Sequence, residues 1–216
     1  MSLIYNWKSK AIKPKEPINT ASAFAQWVFE QSNDQTRVPN LSTQREKMQK
    51  GSYAHLVIDN YFKYRQANSI NYQSKSISDW IIEHTEEDGR AGKFYKASNL
   101  LVNDKPLNCS PDVVLRHKSK SQVIIIERKT TFQKNPQIPP LGWPNVQAQL
   151  WCYSWIDSML DIDEVLLVNQ VWIAKSIGYF VCSHQPTWKR GDSEISNKCL
   201  SWFKLYGGKF NPQGPQ

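Results

Sequence analysis

Cysteine is scarce in this chain, and its spacing is unpaired. Cys109, Cys152, Cys182 and Cys199 include no CxxC pair, which excludes a zinc ribbon and a disulfide-stapled scaffold and suits reduced thiols. Long apolar runs are missing too: no segment approaches the roughly 18 apolar residues of a membrane span. No basic segment followed by an apolar stretch marks a leader. The expectation is a soluble cytoplasmic protein, not secreted and without a membrane partner. Acidic residues are in deficit, 19 against 27 Lys and Arg, giving a formal charge of +8 and a pI near 9.3. That surplus favours polyanionic partners, either nucleic acid or an anionic membrane surface.

What is present suffices for one substantial core, since 216 residues are 40% hydrophobic. Residues 1–18 carry Lys8, Lys10, Lys13 and Lys15 among prolines and read as a flexible basic arm. Residues 19–210 read as a single domain and 211–216, NPQGPQ, as a disordered tail.

Periodicity then divides the domain. A short helix from Thr20 turns Phe24, Trp27 and Val28 inward. A long amphipathic helix from Thr43 has capping-box spacing at Thr43 and Glu46 and a stripe of Met48, Gly51, His55, Ile58 and Phe62. Asp59 follows His55 on that face. A second helix spans roughly 76–84, and Glu86, Glu87 and Asp88 in TEEDGR read as an acidic solvated loop, the alternative being that one of them supplies a further carboxylate to a site. Strands over 93–103, 106–116 and 122–129, with turns at Asn103-Asp104-Lys105 and His117–Lys120, suggest an antiparallel meander. A helix over 144–160 with Pro144 in its first turn, strands over 164–174 and 177–182 and a helix over 193–207 complete an α/β chain: a mixed sheet with helices against it, in α+β fashion.

The stretch VIIIERKTT, residues 123–131, runs a buried-looking strand into three charges. Glu127 and Lys129 leave one face and Arg128 the other. Asp112, after Pro111 in the adjoining strand, is placed to face Glu127. Two carboxylates and an amine suit a divalent cation and phosphate chemistry, or else form a structural ion-pair cluster.

Four motifs decide between these. Gly51-Ser52-Tyr53-Ala54-His55, Pro111-Asp112, Glu127-Arg128-Lys129 and Gln149-Leu150-Trp151-Cys152-Tyr153 follow one another in the chain. Their order, over about residues 43–171, resembles the GxxxH, PD, (D/E)xK and QxxxY motifs of the RecB-like branch of the PD-(D/E)xK nucleases. The resemblance implies a restriction-endonuclease-like core with helices flanking a central mixed sheet. It implies Mg2+ or Mn2+ held by His55, Asp112, Glu127 and the backbone carbonyl of Arg128, with Lys129 catalytic alongside Asp112 and Glu127. Gln149 and Tyr153 would contact the phosphate of the scissile strand or orient Lys129.

Two departures stand out. Asp59 occupies a position where relatives often carry Glu, and the cysteines do not bracket the core as in relatives holding an iron-sulfur cluster, so no cluster is expected. The implied activity is a metal-dependent DNA nuclease, an exonuclease of repair, recombination or defence, with RNA left open as substrate. The alternatives are a structure- or site-specific endonuclease acting with a helicase or other partner, and a non-catalytic nucleic-acid-binding protein. Arg116, Lys118, Lys120 and Lys134 are candidates to follow the nucleic-acid backbone, and Trp143 and Trp151 to stack on bases or fill the core.

Overall fold

The computed structural model describes residues 12–32, 50–61, 63, 79–132, 136, 138–176 and 179–212. The Thr43–Glu46 capping box, Met48, Phe62 and Lys134 lie outside them. Among the described residues, nine strands form two sheets. The larger has the order β1 (Trp80–Thr85), β4 (Val113–His117), β5 (Gln122–Thr131), β6 (Glu164–Ser176), β7 (Tyr179–His184), with β8 (Thr187–Lys189) also on β6. Only β5 and β6 run parallel, which makes the sheet mixed. The smaller sheet is antiparallel, with β2 (Tyr95–Val102) between β3 (Lys105–Cys109) and β9 (Gly208–Phe210). This is the expected α/β class, compatible with a restriction-endonuclease-like core.

Local chemistry accounts for the element ends. The turn between β2 and β3 is two residues, Asn103 and Asp104, with φ of 53° and 58°, the left-handed pair a tight hairpin needs and Asn and Asp tolerate. Helix α1 (Ala21–Ser32) begins where Thr20 Oγ1 accepts the Ala23 N–H at 3.1 Å. A second helix, α2, covers residues 50–61. Helix α4 (Pro144–Tyr153) carries proline in its first turn. Asp192 caps α5 (Ser193–Tyr206), which ends at Gly207 with φ 106°.

Helices α1, α4 and α5 cover one face of the central sheet. Phe24, Trp27, Leu150, Trp151 and Phe203 pack there with Val123, Ile125, Val165 and Leu167, and with Leu100 and Leu107 of the small sheet. Burying each large side chain contributes about 1.5–3 kcal/mol. The opposite face holds Val113, Leu115, Ile126 and Val168, and farther along Ile58 of α2 against Trp172. No helix among the described residues is long and apolar enough to cross a membrane.

The structure corrects four readings. In place of the helix expected over 76–84, residues 80–85 form strand β1, with 76–78 outside the described residues. Trp80 and Ile82 pack inward while Ile81 is 49% exposed, and pairing with β4 decides the matter. The strand expected over 106–116 is two strands in different sheets, broken at Pro111, which has no N–H to continue a ladder. The meander is therefore absent. TEEDGR is not a loop: Glu86–Arg90 form α3, with Asp88 Oδ2 accepting from the Thr85 N–H at 2.9 Å and its hydroxyl at 3.1 Å. Residues 12–18 of the basic arm are held down. Trp27 Nε1 donates to the Ile12 carbonyl, Asn103 Nδ2 to that of Pro17, and the Ile18 N–H to the Tyr206 hydroxyl.

Candidate metal centre and cleft

Three elements converge at the start of β4. Helix α2 brings His55, α3 brings Glu86, and the segment from β3 to β4 brings Asp112. One donor atom from each lies within 4.8 Å of the others. His55 Nδ1 is 2.6 Å from Glu86 Oε2 and 4.0 Å from Asp112 Oδ1, and the three side chains are 15%, 24% and 13% exposed. One imidazole nitrogen with two carboxylates is a donor set that Mn2+ accepts readily and Mg2+ through its oxygens. A divalent ion therefore fits these residues.

Close packing sets the position of Glu86. A Cβ on Gly89 would lie 2.2 Å from Ser110 Oγ, so only glycine lets α3 settle against the segment leading to Asp112 without moving that hydroxyl. Gly51, in contrast, faces Thr130 of β5 with room for a methyl group, 3.7 Å from its Oγ1.

Asp112 is fixed from the sheet. Its Oδ2 accepts the backbone N–H of Arg128 at 2.6 Å. The β4–β5 ladder ends one residue on, at Val113 opposite Ile126, and the Asp112 charge acts on Glu127. It is thus the Arg128 N–H that meets the site, while the Arg128 side chain crosses to the other face and pairs with Asp59. Asp59 is accordingly a partner of Arg128 and outside the three-residue cluster.

Glu127 and Lys129 form the adjoining part of the site. Lys129 Nζ donates to Glu127 Oε1 at 2.6 Å, and the Glu127 side chain is 3% exposed against 33% for Lys129. Glu127 Oε2 is buried with no hydrogen-bond partner among the described residues. An orphaned carboxylate oxygen beside a cation-ready cluster is what a metal ion or bound water would satisfy. Burial and the Asp112 charge push the Glu127 carboxyl up to about 7 against the pull of Lys129. Burial works to lower the Lys129 ammonium, but the charges of Glu127 and Asp112 outweigh it and hold the lysine protonated.

Gln149 and Tyr153 act on the backbone of the site. Both are buried. Gln149 Nε2 donates to the Tyr153 hydroxyl at 2.6 Å, and that hydroxyl donates to the Ser110 carbonyl at 2.9 Å. The pair thereby anchors α4 to the chain two residues before Asp112. Of the expected backbone-following cations, Arg116 is paired with Glu83, and Lys118 and Lys120 are exposed. Trp151 is core and Trp143 packs on its edge.

No protein-family model matches the chain, and no curated protein does. A solved structure described as "Crystal structure of SSO0001" aligns at 14% identity and a TM-score of 0.32, over 72% of this chain and 58% of that one. The chain thus spans just over half the length of that protein, and the likeness is too slight to bear on function.

The residue of the cluster that the sequence reading did not single out is Glu86, named only as one of three acids able to supply a further carboxylate, with a solvated loop preferred. Its local signal was the Thr85–Asp88 capping pattern, which makes TEEDGR a helix start and gives Glu86 a fixed direction.

Proposed function

We propose that this chain is a metal-dependent nuclease of the PD-(D/E)xK kind that hydrolyses phosphodiester bonds in DNA, working as an exonuclease inside the cell, in the cytoplasm. The observation that carries the reading is the meeting of His55, Glu86 and Asp112 beside the buried Glu127–Lys129 pair. A core ion-pair cluster would not leave Glu127 Oε2 unpartnered or gather three carboxyl groups around one end of a sheet.

His55, Glu86 and Asp112 would hold Mg2+ or Mn2+, with Glu127 supplying its free oxygen nearby. When bound, the ion polarises the phosphodiester and lowers the pKa of a bound water. The chain's own residues do the rest. Lys129, protonated and a third exposed, places a positive charge where negative charge develops on phosphorus. Glu127 orients the ammonium through their hydrogen bond. The Arg128 N–H fixes the rotamer of Asp112, and Tyr153 fixes the backbone that carries it.

The test is cleavage of linear and covalently closed circular DNA with magnesium, manganese or EDTA, comparing wild type with Lys129→Ala. Metal-dependent loss of linear DNA, abolished by the substitution and sparing circles, is the expected result. Cut circles would replace the exonuclease with an endonuclease. No cleavage in either metal, with DNA still bound, would leave a binding protein.

A further inference from the structure

A cleft of about 370 Å3 has Glu86 and Asp112 of the candidate metal centre in its lining, together with Phe94, Asn108 and Ser110. This is within the range of about 300–1,000 Å3 in which small ligands bind. We propose that it is a pocket for one unpaired nucleobase, which makes single-stranded nucleic acid the substrate; the proposal rests on the nuclease reading above.

The lining chemistry suits a base better than a phosphate. Phe94, just before β2, is 59% exposed, and among the described residues no ring packs on it. An exposed phenyl beside a polar pocket offers a face for stacking, which every base satisfies. Among the described residues the Asn108 carboxamide and the Ser110 hydroxyl have no hydrogen-bond partner. A carboxamide presents a donor and an acceptor together, the pairing that reads a base edge. A phosphate would find no free cation in the lining, because Arg90 is committed to Glu86 at 2.6 Å. Its natural place is at the metal end, with the attached base reaching Phe94. A base in a duplex is stacked and paired and cannot enter without being extruded; one in a single strand enters freely.

The experiment measures fluorescence anisotropy with a short labelled single strand, as DNA and as RNA, and with the blunt DNA duplex of the same sequence. Lys129→Ala in manganese serves as the uncleaving parent. The parent should bind at least one single strand more tightly than the duplex. Adding Phe94→Ala should weaken single-strand binding by about tenfold, leave duplex binding unchanged, and be restored by Phe94→Trp. Manganese affinity by calorimetry should not move, since Phe94 touches none of the ligands. Single-strand binding unaffected by Phe94→Ala, with manganese bound normally, would overturn the base pocket and spare the nuclease. A parent that prefers the duplex would overturn it too. A parent that binds no manganese would bring down the nuclease reading, and the pocket with it.

Discussion

Asp59 and Arg128 form an ion pair in the interior, 3% and 0% exposed, on the face of the sheet away from Glu127. It ties α2, the carrier of His55, to β5, the carrier of Glu127 and Lys129. Removing one partner of such a pair costs about 3–5 kcal/mol, whereas replacing both with apolar groups is often neutral. Asp59→Ala should therefore lower the denaturant midpoint sharply, and Asp59→Leu with Arg128→Met should recover much of the loss. Both should weaken manganese binding, because His55 loses its anchor to the strand. A single substitution that leaves stability within about 0.5 kcal/mol, the range of surface changes, would contradict this account.

Glu86 separates the cluster from the sequence motifs that led to it. Glu86→Gln should weaken manganese binding by more than the about 10–100-fold that loss of an outer-shell partner costs. Glu87→Gln, one residue on and bonded to Lys63 at the surface, should leave affinity unchanged. Calorimetry on the two variants compares them directly, and equal affinities would remove Glu86 from the ligand set.

Proton competition should govern metal binding. Burial lowers the His55 pKa, but the Glu86 hydrogen bond and the charges of Asp112 and Glu86 outweigh it and raise it above 6.5. For Glu86, burial acts upward and is overridden by His55 and Arg90, giving about 2. Manganese affinity should thus rise with pH and level off only above the raised His55 value, with proton release visible as a buffer-dependent enthalpy. In the metal-free protein the two groups bracket a window. His55 contributes fully below 6.5 and less as pH climbs through its folded pKa, while Glu86 contributes above 4.5 and loses this as pH falls toward 2. Their joint contribution should peak between those limits, and His55→Gln should flatten the alkaline side of the stability profile.

Gly89 and Ser110 should be coupled. Gly89→Ala gains helix propensity of up to about 1 kcal/mol but drives its methyl group toward the Ser110 hydroxyl. In the wild-type background the substitution should weaken manganese binding by displacing Glu86. On a Ser110→Ala background the nearest remaining atom, Cβ, is at an ordinary 3.6 Å, and the same change should be neutral or stabilising. Additive effects in the double-mutant cycle would show that α3 is not seated by this contact.

Wherever one periodicity dominated, the sequence read true. Helices α1 and α5 and strands β5 and β6 lie within a few residues of expectation, whereas α4, expected over 144–160, ends at Tyr153, where the chain turns before a short 3-10 stretch over Asp157–Met159. Misreadings fell where tertiary partners decide. Residues 80–85 contain Trp, Ile and His at spacings that also suit a helix, and only the edge of β4 selects the strand. Pro111 was read as part of a motif when it also divides two sheets. Gln149 and Tyr153 were placed correctly on one helix face, yet their mutual hydrogen bond and the Ser110 carbonyl are invisible until the strands are positioned. Glu86 looked like one of three solvated acids because nothing local reveals that His55 stands over it.

The passage of the chain from one sheet to the other at Pro111 sets the order in which the protein can be built. The small sheet that leads into Asp112 includes β9, whose Gly208–Phe210 pair with β2, so that sheet is complete only after residue 210 has been synthesised. Pairings this distant in sequence form late. A nascent chain emerging from the ribosome would carry His55, Glu86 and Asp112 long before it had the framework to hold them together, and their meeting would arrive only with the finished fold.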